Sequence, residues 1–229
     1  MRLIVIGCEY TGQTTLAFGV RDWIRAQMGE QLVMVHDHFM PRMGEARPDR
    51  TREEEEQELS QLAPFALEKY MRYMIHYHLG HHFYSDNDHL VVGWYLADAV
   101  YAPLYFGYGG PGQYADRKRM ARHHDADVNV LAPDTVLVHL TASPDVIRER
   151  MRAEPRPTSP FREEDIERVR DAFAEEYADA MFRRKITLDT TESTPEQTLK
   201  ELIDQLHPLF TSADTLRILN HRALNGGSV

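Results

Sequence analysis

The feature that most constrains this chain is its opening run, LIVIGCEYTGQTT, Leu3 to Thr15. Leu3-Ile4-Val5-Ile6 is unbroken and apolar, and it reads as a strand buried on both faces, as in a parallel sheet. Gly7 and Gly12 bound a short turn. Leu16, Val20, Trp23, Ile24 and Met28 then recur at helical spacing, and Gly29 marks the helix end. The same alternation continues. Strands are expected at Leu32–Val35, Leu90–Val92, Thr135–Leu140 and Ile186–Leu188. Helices are expected over Leu62–Tyr77 and Ala97–Leu104, after Ser143-Pro144, after Ser159-Pro160, and from the capping box Thr194–Gln197 to Leu206. Strands alternating with helices predict an α/β fold in three layers, a five-stranded, mostly parallel sheet with helices on both faces. Ligands of such sheets sit at the carboxyl ends of the strands. Gly7–Thr15, Asp37 and Gly93–Asp98 are expected to converge there.

Composition narrows the function classes. With 229 residues, 42% hydrophobic and 27% charged, the chain suits one domain with a sizeable core. A net charge of −10 argues against a broad basic surface for duplex nucleic acid, although a local arginine cluster can still hold a phosphate. The only cysteine is Cys8, so no intramolecular disulfide forms, and a reducing cytoplasm is the expected compartment. The apolar part of the N-terminus is too short for a signal peptide, and no run approaches the ~20 residues of a membrane span. Membrane association is not expected, and a homodimer is left open. Residues 209–229 are expected as a tail or a small appended helix.

GCEYTGQTT follows the pattern G-x-x-x-x-G-K-[ST] at Gly7, Gly12 and Thr14, with Gln13 where the pattern has lysine. In that pattern backbone N–H groups wrap around phosphates at a helix N-terminus, the lysine reaches the β and γ phosphates, and the hydroxyl binds magnesium. Gly7, Thr11, Gly12, Gln13, Thr14 and Thr15 are thus the candidate nucleotide contacts, with Thr14 the Mg²⁺ ligand. Glutamine donates a hydrogen bond but cannot neutralise charge that develops during phosphoryl transfer. Three readings follow: an arginine from elsewhere takes over, the protein binds nucleotide with little turnover, or Gln13 is an introduced substitution.

With the loop, the Asp37 strand end, LTASPDVIRERM and ITLDTTESTPEQTLKEL in view, residues 1–208 resemble the P-loop nucleoside and nucleotide kinases, thymidylate-kinase-like or deoxynucleoside-kinase-like. The resemblance implies a P-loop NTPase fold with a helical lid near 148–165. It also implies ATP and Mg²⁺ as cofactors, and transfer of the γ-phosphoryl group to a small acceptor, a nucleoside or nucleotide. Alternatives are a kinase-like nucleotide binder with weak turnover and a kinase for a non-nucleotide alcohol. The Asp-Arg pair that many thymidylate kinases carry after the third strand is replaced by Gly93-Trp94.

Asp37 is the leading candidate for base or metal-shell residue, and Asp98 is the alternative. Arg148 and Arg152 share a helix face and are expected to reach the phosphates from the lid, whereas Arg150 faces elsewhere. Arg117, with Arg119 and Arg122, is a candidate grip on an acceptor phosphate. Tyr73 and Trp94 are candidates for stacking on an acceptor base. His36 and His38 flank Asp37 and read as packed or surface residues. His78, His81 and His82 lack the nearby acid that a metal site would need.

Overall fold

The computed structural model describes residues 1–32, 51, 54, 57–59, 61–79, 88–157 and 159–225, together with the backbone of 34–37. The strands are β1 (Arg2–Gly7), β2 (Met34–Asp37), β3 (His89–Gly93), β4 (Val136–Thr141) and β5 (Arg184–Asp189). The helices are α1 (Gln13–Met28), α2 (Pro64–His78), α3 (Trp94–Tyr101), α4 (Arg117–Leu131), α5 (Pro144–Ala153), α6 (Ile166–Asp179), α7 (Pro195–Leu206) and α8 (Ser212–Leu224). A π-helical stretch, Ala102–Phe106, continues α3.

All five strands run parallel in the order β2-β3-β1-β4-β5. Leu3 lies level with Leu90 on one side and Val136 on the other. Because side chains alternate along a strand, an all-apolar β1 feeds a separate core on each face. Ile4 and Ile6, with Val91 and Leu137, pack against α3, α4 and α6. Leu3 and Val5, with Leu90 and Val138, pack against α1 and α7. The edge strand β5 buries Ile186 and Leu188 on that second face only.

The local signals for helix starts are realised as hydrogen bonds. Ser143 accepts from Val146 N–H with Pro144 following, and Thr194 and Gln197 close a capping box. Removing such a cap costs about 1 kcal/mol. Two helix starts differ most from the sequence reading. The helix expected from Ala97 begins at Trp94, because Gly93 (φ 83°) and Trp94 (φ 54°) both adopt left-handed backbone and turn the chain straight out of β3. A bulky residue there stores about 1–3 kcal/mol of strain. The helix expected from Ser159-Pro160 begins later, at Glu163 as a 3₁₀ turn and then α6.

The basic patch Arg117–Arg122 is the start of a full helix, α4. Its inward face carries Arg117, His124 and Asp125 beside Ala121 and Val128, so no apolar periodicity advertised it. The segment after Leu209 contains α8, which packs on α1 through Ile218 and buries Asp214. Arg217 pairs with Asp88 and, at 2.5 Å, with Asp214. Among the described residues, no helix is long and apolar enough to cross a membrane.

Candidate functional site

The carboxyl ends of β1, β3 and β4 open onto a cavity of about 400 Å³. Gly7 and Glu9 to Leu16 form its floor, and Gly93, Ala97, Tyr101 and Phe173 form one wall. Arg150, Ala153, Glu154 and Arg156 lie over it, and Thr190, Ser193 and Thr198 close the far side.

Gly7 is needed by contact: a Cβ there would run into the Leu140 carbonyl and crowd Thr11 Oγ1 at 2.9 Å. Gly12, at φ 93°, caps α1 with no side chain bonded to the helix end. The first-turn amides of a 16-residue helix therefore face the cavity without an acidic cap, the local condition for holding an anion. Thr14 and Thr15 line the opening. Thr11 serves the loop itself: it is fully buried, its hydroxyl donates to Cys8 O at 2.7 Å, and its carbonyl accepts from Thr190. Gln13 donates its side-chain amide to the Gly7 carbonyl, spanning the loop from end to end. Burial raises the Cys8 thiol well above its ordinary value, which leaves it a protonated core residue rather than a nucleophile.

The arginines divide differently from the sequence reading. Arg148 pairs with Asp145 at 2.6 Å and Glu163 at 3.1 Å, and Arg152 pairs with Glu163 at 2.5 Å; neither lines the cavity. Arg150 does. Its guanidinium donates to Tyr10 O at 3.0 Å, Thr190 Oγ1 at 3.1 Å and Thr190 O at 2.7 Å, all neutral acceptors. Burial pulls its pKa below the usual arginine value, yet a guanidinium stays charged. The signal was present in the sequence: Ile147 is the buried anchor of α5, and the residue three further on shares its inward face.

The acceptor-side candidates also separate. Asp37 ends β2 level with Gly93, which brings its backbone to the same sheet edge as the loop. The side chains of His36, Asp37 and His78, and all of His38, His81 and His82, lie outside the described residues. Asp98 does not reach the cavity. It is buried against Arg117 at 2.7 Å and accepts from Tyr108 at 2.9 Å. Burial raises its pKa, and Arg117 opposes that rise. Arg117 also lies 3.4 Å from Glu68, which Arg72 holds at 2.6 Å, so this is an internal ion network rather than a grip on a ligand. Trp94 is buried against Tyr95 at 4.8 Å, and Tyr73 is exposed on α2; neither lines the cavity.

Among the described residues, no three His, Cys, Asp or Glu side chains gather to hold a metal. Magnesium carried by a nucleotide needs no such cage, since it keeps several waters and uses phosphate oxygens. A hydroxyl such as that of Thr14 at the helix start fits that donor set.

No protein-family model matches the chain, and no curated protein does. Solved structures do. A deoxyadenosine kinase from M. mycoides with bound dATP superposes at TM-score 0.59 and 15% identity, covering 90% of this chain and all of that one. The structure of that kinase with bound dCTP gives 0.56 and 14%, covering 91% of this chain and all of the other. The chain shares its fold with these deoxyadenosine kinase structures.

Proposed function

We propose that this chain is an ATP-dependent phosphotransferase that moves the γ-phosphoryl group to a small acceptor, a nucleoside or nucleotide. One observation carries the reading: Arg150, which among the described residues is held by neutral acceptors alone, lines the same cavity as a glycine loop whose lysine position is Gln13. A half-buried guanidinium with no carboxylate bonded to it among the described residues is poised for an anion, and preorganised positive charge is what phosphoryl transfer most requires.

In this reading the amides of Gly12 to Thr15 hold the phosphates and Arg150 supplies the charge that Gln13 lacks. Thr14 would be the residue to hold a nucleotide-borne Mg²⁺, which would supply charge screening for the polyphosphate. Asp37, at the edge shared with Gly93, takes the proton of the acceptor hydroxyl. The nucleoside class of the acceptor rests on likeness of fold to deoxyadenosine kinases, an argument from analogy. A second reading, nucleotide binding with little turnover, is favoured by the Gln13 amide's tie to Gly7, which keeps a neutral group where charge is wanted.

A thermal-shift series with nucleosides and ATP, with and without Mg²⁺, tests the site. A ligand at a hundred times its Kd adds about 2.7 kcal/mol, a rise of about 5–10 °C for a chain this size. If no nucleotide moves the melting temperature, the phosphate reading fails. The Asp37→Asn variant then separates the two readings. In an enzyme it loses about 10²–10⁴ in ADP release while ATP still binds. In a binding protein there is no ADP release to lose.

A further inference from the structure

Glu9 is an odd residue for a phosphate cradle. It places a carboxylate on the cavity floor, where it would repel the very ligand the loop is shaped for. Its contacts explain its presence. Glu9 Oε1 accepts from the Ser159 hydroxyl at 2.7 Å, and Oε2 lies 3.5 Å from the Arg156 guanidinium. The neighbouring Tyr10 joins in. Arg156 stacks over its ring at 4.9 Å, Phe161 packs against it at 6.3 Å between centroids, and its carbonyl accepts from Arg150. Tyr10 holds a left-handed backbone (φ 66°), unusual for a bulky residue and over-determined by these contacts. Tyr10 thus holds Arg150 directly through its carbonyl, and Glu9 and Tyr10 together hold the segment that follows the arginine's helix, Arg156 to Phe161.

We propose that Glu9 is a positioning residue: its carboxylate holds Arg156 and Ser159, and through them seats Arg150 over the phosphate cradle. The inference rests on the phosphate-cradle reading and adds to it a regulatory link, in which loop and arginine-bearing segment are assembled as one unit. It also accounts for the acid's sign. The Glu9 charge is matched by Arg156, so a polyphosphate meets a neutral pair there, beside Arg150.

The test is Glu9→Gln, which keeps size and hydrogen bonding and removes the charge. Three quantities are read on the full chain: amide exchange across residues 153–162 without nucleotide, ATP affinity with Mg²⁺, and ADP release. Exchange is expected to quicken about tenfold, with the melting temperature unchanged. ATP affinity should stay within about threefold or tighten, since a negative charge has left the floor, while turnover falls about tenfold or more. Arg156→Met should reproduce the faster exchange with Glu9 intact. Unchanged exchange in Glu9→Gln overturns the proposal. So does ATP affinity that weakens in step with turnover, because Glu9 would then be serving the ligand directly. Failure of the wild type to bind ATP overturns the cradle reading instead, and the exchange measurement still decides whether Glu9 holds the segment.

Discussion

Two arginines, Arg117 buried and Arg150 half-buried, sit in opposite circumstances. Arg117, between α2, α3 and α4, meets two carboxylates and a tyrosine ring, Asp98, Glu68 and Tyr108. Arg150, on α5 beside the loop and the end of β5, meets among the described residues only carbonyls and a hydroxyl. Each is an arginine on a helix near an aromatic residue, and composition alone does not separate them. The partners do. A guanidinium whose charge is matched inside the protein holds the protein together, and one whose charge is unmatched beside a cavity is available to a ligand.

Removing the matched arginine should give the largest effect on folding. Arg117→Ala leaves Asp98 and Glu68 buried with one cation fewer. We expect a loss of about 3–5 kcal/mol in denaturant unfolding, a large part of what keeps a domain folded. A loss under ~1 kcal/mol would erase the contrast. Arg150→Met should reverse the pattern. Turnover is expected to fall about 10²–10³-fold, close to 3–4 kcal/mol of transition-state stabilisation, with stability changed by no more than about 1 kcal/mol. If Arg148→Met or Arg152→Met matches that loss of turnover, the assignment of the working arginine to Arg150 is wrong.

The third and smallest effect concerns pH. Glu176 on α6 is fully buried, pushed up to about 7 by burial and restrained by Arg122, which also pairs with Asp125 at 3.0 Å. Between pH 4.5, its ordinary value, and about 7, the folded chain holds a proton that the unfolded chain has released. Its contribution therefore lowers stability as pH rises across that window and is flat above it. His124 and His139, both pulled down to about 4 by burial from 6.5, act with the opposite sign, stabilising the fold as pH rises from about 4 to 6.5. Glu176→Gln should expose the histidine rise. Measured against wild type, its stability should gain about 2–3 kcal/mol from pH 4.5 to 7.5. Parallel curves would mean that Glu176 is charged throughout.

Much of the fold was legible because its signals are local. The apolar run of β1, the glycine turn, and the caps at Ser143 and Thr194 each need only a few neighbouring residues to be read. The glycine loop between β1 and α1 was legible for the same reason. The remainder of the site was not, because its chemistry is decided by partners far along the chain. Nothing near Asp98 or Arg117 in sequence reveals that they neutralise each other. Nothing near Arg148 and Arg152 reveals that Glu163 takes both. Glu9 reads as an ordinary polar residue of a turn until Arg156 and Ser159 come to meet it. Trp94 was a candidate for stacking on an acceptor base as one of several aromatics, but positive φ at Gly93 and Trp94 in succession turns it into the core.

Thr190, just past β5, receives Arg150 on its hydroxyl and donates that same hydroxyl to Thr11 O at 3.1 Å, across 179 positions of chain. Its backbone amide bonds to the end of β4, at Thr141 O, at 2.8 Å. The geometry of a loop written in the first fifteen residues is therefore completed by the last strand. During synthesis the ribosome releases the cradle's sequence first and its keystone late, and contacts of such long separation form slowly. A growing chain that ends before β5 carries the motif without the contacts that shape it, so under the proposed function phosphate binding would report finished folding.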